Sequence, residues 1–195
     1  ESGNITIKKS SDDSTVETFD VTGAGGSGST EITIDPSTTL DGSTGYYITI
    51  DASAFDDSSG NSYAGISDAT TLNFTTADIA APTLASSSPS DGATGIGADA
   101  NLVLTFTEAV DAESGNITIK KSSDDTTVET IDVTGAKVSG SGSTEITIDP
   151  STTLDGSTGY YITIDASAFD DSSSNSYAGI SAATTLNFTT ADVGT

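Results

Sequence analysis

The chain has 195 residues, with 29 acidic side chains against 5 basic ones and a formal net charge of −24. That charge repels nucleic acids and anionic membranes, so polyanion partners are excluded from the reading, whereas screening salt or divalent cations suit such a surface; no run approaches the ~18 apolar residues of a membrane helix, so no membrane insertion is expected. Cysteine, histidine, methionine and tryptophan are absent, which removes disulfides, zinc sites of the Cys/His kind, and thiol or imidazole catalysis.

Self-similarity dominates the chain. Glu1–Ser10 recurs as Glu113–Ser122, and after a two-residue insertion around Lys137-Val138 the match resumes, Thr30–Pro36 against Thr144–Pro150, continuing to Ala77-Asp78 against Ala191-Asp192. Near-identity over a domain-sized unit is the signature of a tandem array. The reading divides the chain into residues 1–78, a repeat lacking its first two strands, residues 79–81 as a linker, and residues 82–195 as a complete repeat. A half-core with open strand edges is not expected to be stable alone, so the missing strands come either from a longer chain or from a neighbouring molecule.

In the complete unit, Thr83–Pro89 is predicted as an edge strand, followed by turn chemistry over Ser90–Gly95. The Asn101–Thr107 stretch places Leu102, Leu104 and Phe106 on one face at a period of two. Glu108–Glu113 follows as an acidic loop. Further strands are predicted at NITIKK with Ile117 and Ile119, and at Thr127–Val133. The Gly/Ser-rich Lys137–Ser143 reads as a loop, and Glu145–Asp149 as a strand turning Ile146 and Ile148 inward. Leu154 and Tyr160, with Ile162 and Ile164 beyond, have the spacing of a tyrosine corner, repeated in the first unit at Leu40, Tyr46, Ile48 and Ile50. Thr185–Thr189 closes the unit with Leu186 and Phe188 inward. About seven short strands, turns between them and this corner indicate an all-β chain of tandem immunoglobulin-like β-sandwiches.

Several segments also resemble a known family. Pro82-Thr83, Ser88-Pro89-Ser90-Asp91-Gly92-Ala93-Thr94, the Leu104–Val110 stretch and the Ala54–Asn61 loop are similar, in this order, to bacterial Ig-like domains of the S-layer-protein type. The resemblance implies a tandem module of a large secreted or cell-surface protein, including adhesins.

One constellation carries chemistry. In the sandwich topology the loops bearing Glu108 and Asp111 and those bearing Asp170, Asp171 and Asn175 share one end, where Asp78 also arrives; the first unit has Asp56, Asp57 and Asn61 at the matching positions. Carboxylates and a carboxamide without histidine suit Ca²⁺, which takes about 6–8 oxygens. The competing reading is a plain Asp-containing turn with solvated acids. Because the acidic partner loop of the first unit is represented by Glu1 alone, any ion is expected at Asp170 and Asp171 rather than at Asp56 and Asp57. No catalytic residues and no organic cofactor are predicted: adjacent carboxylates on a loop make a poor acid–base pair. The expected role is a calcium-stiffened structural module or extender of a secreted or surface protein, with adjacent copies of the repeat as partners. Two alternatives stand: a filament subunit completed by strands of neighbouring chains, and a carbohydrate-binding module using exposed Tyr47, Tyr63, Tyr161 and Tyr177.

Overall fold

The second unit is built around one long strand. The computed structural model describes residues 2–192 and 194, and its chain divides into two units, Glu1–Ile79 and Ala80–Thr195. The first contains β1 (Asn4–Lys9), β2 (Thr15–Asp20), β3 (Gly45–Ile50) and β4 (Asn73–Thr75). The second contains β5 (Leu84–Ser88), β6 (Ala93–Ile96), β7 (Leu102–Ala112), β8 (Asn116–Lys121) and β9 (Thr127–Asp132). It continues with β10 (Val138–Ser139), β11 (Ser143–Ile148), β12 (Gly159–Ile164), β13 (Phe169–Asp170) and β14 (Asn187–Thr190). No α-helix occurs among the described residues, so none could cross a membrane.

The long strand is β7. Its even positions Leu102, Leu104, Phe106 and Val110 are buried, while its odd positions are half-buried or exposed. That alternation follows from the two-residue side-chain period. Strand β7 pairs with β11, with β13 and with β5, giving one five-stranded sheet; β6, β14, β12, β8 and β9 form the other. Between the two sheets lie Ile117, Ile119, Ile131, Ile146, Ile148, Ile162 and Phe188, a single continuous core. This is a sandwich of two sheets, all-β and immunoglobulin-like, as the strand pattern predicts.

Strand boundaries differ from expectation in informative places. The acidic stretch after Thr107 is not a loop: β7 runs on to Ala112 because β13 offers it a partner, Phe169 opposite Ala112 and Asp170 opposite Asp111. Its register against β11 jumps between Thr105 and Val110, so Phe106–Ala109 bulges from the ladder. The second half of the turn expected over Ser90–Gly95 belongs instead to β6, which runs parallel to β14. Lys137–Ser143 contains the short β10, paired with β11.

The tyrosine corner is present twice. The Asp155 N–H donates to Tyr160 Oη at 2.9 Å, and the Asp41 N–H donates to Tyr46 Oη at 2.9 Å. Both rings are fully buried. The phenol thus satisfies a backbone donor while its ring fills the core.

The described residues of the first unit form one sheet, β2-β1-β3-β4, the counterpart of β9-β8-β12-β14. Among its described residues nothing corresponds to β5, β6 or β7. The consequence reaches residues that are present. Glu31–Ile34 and Phe55-Asp56 match parts of β11 and of β13, yet they form no strand, only isolated bridges at Thr33 and Asp56. In the second unit the matching residues are drawn into ladders by β7.

Gly179 shows how tightly the last connection is made. It sits at φ +77°, and a Cβ there would lie 2.5 Å from Ile164 O and 2.8 Å from Ala166 N. Ile164 and Ile180 exchange backbone hydrogen bonds around it, at 2.8 and 2.9 Å. Gly179→Ala must therefore adopt a left-handed backbone and break that bridge. We expect it to destabilise the second unit by more than about 2 kcal/mol in urea unfolding, and a loss below ~0.5 kcal/mol would contradict the geometry.

Candidate functional site

The acidic end of the second unit is assembled from β7, β13 and the hairpin that follows. Asp111 and Asp170 stand directly opposite each other on paired strands. Two like charges in that relation repel and destabilise a sheet unless something compensates them. Asp111 Oδ1 accepts a hydrogen bond from Ser141 Oγ at 3.2 Å, and the same hydroxyl accepts from the Ala112 N–H at 3.0 Å. Asp170 Oδ1 is buried and has no hydrogen-bond partner, the one such side-chain atom among the described residues. A buried carboxylate oxygen left in that state costs about 1–3 kcal/mol or more.

Asp171 is buried, but its carboxylate is well satisfied. Oδ1 accepts from the Ser173 and Asn175 N–H groups, each at 2.8 Å, and Oδ2 accepts from Asn175 Nδ2 at 2.8 Å. The Asn175 carboxamide is the main reason the carboxyl sits below its usual range; burial opposes it, and the two amides assist. So Asp171 and Asn175 do close the Asp-containing turn, the more modest of the two readings. Ser174 takes φ +65° at its tip, where the first unit has Gly60 at +80°.

The turn does not exhaust the group. Glu108, on the bulged part of β7, and Asp171 each place a carboxylate oxygen within 4.8 Å of the other. Two oxygens bound to one Ca²⁺ at about 2.3–2.6 Å lie at most about 5 Å apart, so this separation is compatible with a shared ion. The second unit therefore brings Glu108, Asp111, Asp170, Asp171 and Asn175 to one end. Asp78 belongs to the first unit, as its penultimate residue.

In the first unit the matching loop is turn chemistry alone. Asp57 Oδ1 accepts from the Ser59 and Asn61 N–H groups at 2.8 Å, and Oδ2 accepts from Asn61 Nδ2 at 2.8 Å. These bonds, the Asn61 side chain first, lower its pKa. Asp56, bridged to Ser62, and Asp57 and Asn61 are exposed, with no β7 opposite them. Glu1 lies outside the described residues.

The tyrosines expected as an exposed binding patch are mostly not exposed. Tyr47, Tyr161 and Tyr177 are buried, and only Tyr63 is open to solvent. Tyr161 donates its hydroxyl to Asp125 Oδ1 and Tyr47 donates to Asp13 Oδ1, both at 2.9 Å. Period-two alternation could not place them, because both residues of Tyr160-Tyr161 are buried, on opposite faces of β12.

What sequence reasoning missed is a charge cluster elsewhere in the unit. Glu129, buried on β9, accepts from Lys137 Nζ, from Ser151 Oγ at 2.9 Å and from the Thr152 N–H at 2.9 Å. Lys137 also donates to Ser151 Oγ at 2.6 Å. The insertion that carries Lys137 was the available signal: it is the one place where the second repeat gains a charge.

A family model for the bacterial Ig-like domain matches residues 2–76 and, separately, 78–190. The chain belongs to that family. Bacterial Ig-like domains of this kind are a non-enzymatic fold family, commonly found as repeats of extracellular surface proteins. A comparison with curated proteins finds none that matches the chain.

Proposed function

We propose that the chain is a structural module of a secreted or cell-surface bacterial protein, setting distance and stiffness, with its neighbours being further copies of the same repeat. The observation that carries this reading is the recurrence of one bacterial Ig-like domain, almost unchanged, within a single chain. A recognition tip needs one distinctive surface, whereas a spacer needs many equal ones. No catalytic step enters this reading. Burial of Tyr47, Tyr161 and Tyr177 counts against a carbohydrate-binding role. A glycan array probed with the full chain is expected to retain nothing, and saturable retention would overturn the spacer reading.

The same proposal includes a structural calcium ion held within the second unit by Glu108, Asp111, Asp170 and Asp171, with Asn175 fixing Asp171. The unpartnered Asp170 Oδ1, opposite Asp111, is what supports it. An ion there would supply the missing partner and screen the facing carboxylates. In thermal unfolding, saturating Ca²⁺ is expected to stabilise the second unit by about 2.7 kcal/mol at a hundredfold excess over Kd, reversed by EGTA. Asp170→Asn is expected to abolish this response, and to raise stability slightly in EGTA because a like-charge pair is removed. An identical transition in Ca²⁺ and EGTA would exclude the ion.

A further inference from the structure

A strand at the end of a sheet leaves a row of backbone donors and acceptors open to any chain that forms β-structure. In the second unit most such ends are short or interrupted. Strands β10 and β13 have two residues each, β6 has four with Gly95 at φ +72°, and β5 runs straight into Pro89. Strand β9 is different: it ends its sheet, runs for six residues and contains neither proline nor glycine. Strand β2 holds the same place in the first unit, with six residues of nearly the same sequence. Both edges belong to the sheet that the two units share.

The Val133 N–H donates to Gly115 O at 3.1 Å. Antiparallel alternation then turns the backbone of Glu129 and Ile131 toward β8 and that of the exposed Thr130 toward the open edge. A bulge at Val128, where the register against β8 shifts, ends the flat part of the strand. The core-facing residues of β8 here are Ile117 and Ile119, and β9 places Ile131 and Glu129 opposite them. One carboxylate thus interrupts an apolar row. Glu129 is buried and accepts from Lys137 Nζ, from the Ser151 N–H and Oγ and from the Thr152 N–H. Glu17 is half-buried at the same place in β2 and accepts from the matching Ser37 and Thr38. A strand added beside β9 would cover Glu129 and the partly exposed Lys137 ammonium, taking an ion pair out of water and offering it nothing in return.

We propose that Glu129 guards the β9 edge, as Glu17 guards β2, and that the partner it excludes is the same edge of a second copy. Thr127–Ile131 is rich in β-forming side chains, and an antiparallel pair centred on Thr130 is self-complementary: Thr130 meets its own copy and Glu129 meets Ile131. With an apolar residue in place of Glu129, the two core-facing rows would continue into each other. Near-identical repeats in one chain hold such matching edges at high local concentration, and misassembly between repeats is their characteristic failure. An inward-pointing charge on an edge strand opposes it without altering the outer surface. This inference goes beyond the spacer role and does not depend on the calcium ion.

The absence of cysteine makes the guard directly testable. Thr130→Cys gives the full chain one thiol, which in the self-paired register faces its own copy with Cα atoms about 5.5 Å apart, within the separation that disulfides bridge. The assay is the fraction of disulfide-linked dimer by intact mass in a glutathione buffer, with about 1 M salt to screen the net charge. Thr130→Cys alone is expected to stay monomeric. Adding Glu129→Leu should raise the dimer at least ~tenfold at equal chain concentration. Glu129→Gln, which removes the charge and keeps the shape, should give an intermediate rise, and it carries the test if Glu129→Leu does not fold. Urea unfolding of the second unit reports folding of each variant. Thr127→Cys is the control, because it is exposed on the same strand beyond the bulge and does not face its own copy; with Glu129→Leu it should not dimerise above the parent level. Equal dimer with and without the charge at residue 129 would overturn the proposal. So would dimer from Thr127→Cys matching that from Thr130→Cys, which marks a loosened chain rather than a paired edge.

Discussion

Phe188→Ala is expected to cost the second unit about 3–5 kcal/mol, whereas the identical change at Phe74 should cost the first unit about 1 kcal/mol or less. The rings have the same sequence neighbours and nearly the same aromatic partner geometry. Tyr160 and Phe188 have centroids 5.9 Å apart, and Tyr46 and Phe74 are 5.8 Å apart. Such a pair contributes about 0.5–1.5 kcal/mol by itself, so it cannot separate the two sites. Burial can: Phe188 is enclosed between two sheets, and truncating it leaves a cavity, whereas Phe74 already meets water. The measurement is urea unfolding of both variants with the two units followed as separate transitions, since a chain of two units need not unfold in one step. Equal losses would show that the first unit buries Phe74 by some other means.

The second large effect concerns acid. Burial alone would raise the Glu129 carboxyl, but Lys137 and the Thr152 and Ser151 amides outweigh it and hold its pKa down to about 2. The unfolded value is about 4.3. A folded-state pKa below the unfolded one means that the contribution is complete above about pH 4.5 and is lost as pH falls toward 2. Glu129→Gln should therefore lower the stability of the second unit at pH 7 by about 1–3 kcal/mol, leaving a buried amide among donors arranged for a carboxylate. It should also flatten the fall in stability between about pH 4.5 and 2. If the variant and the parent lose stability in parallel over that range, Glu129 is not the group responsible. Glu17 is the control. It accepts from the Ser37 N–H and Oγ and from the Thr38 N–H, and its pKa is likewise lowered to about 2, but it is more exposed and has no lysine beside it. Glu17→Gln should change the first unit less, because solvent screens the same interactions.

Much of this molecule is legible without coordinates. The repeat, the alternation of Leu102, Leu104 and Phe106, and the Leu154–Tyr160 spacing identify an Ig-like sandwich, because strand period and corner geometry are local properties. The chemistry of Asp171 and Asn175 is also local: four residues suffice to close their turn. The acidic end was legible only as a list of residues. The acids and alanines around Glu108 and Asp111 carry no strand signal, yet β7 continues through them where Phe169-Asp170 provides a partner.

The tertiary structure alone decided burial. Ile32 and Ile146, or Phe74 and Phe188, are the same residues in the same sequence, so no rule of composition or periodicity could assign them different environments. What separates them is β7, an element distant in the chain from β11 and β14, which builds the second sheet and closes the core. The sequence by itself determined which side chains alternate and which turns form. Whether an apolar face is core or open surface depended on a strand contributed from elsewhere, because burial is a property of two surfaces and a sequence segment specifies only one of them.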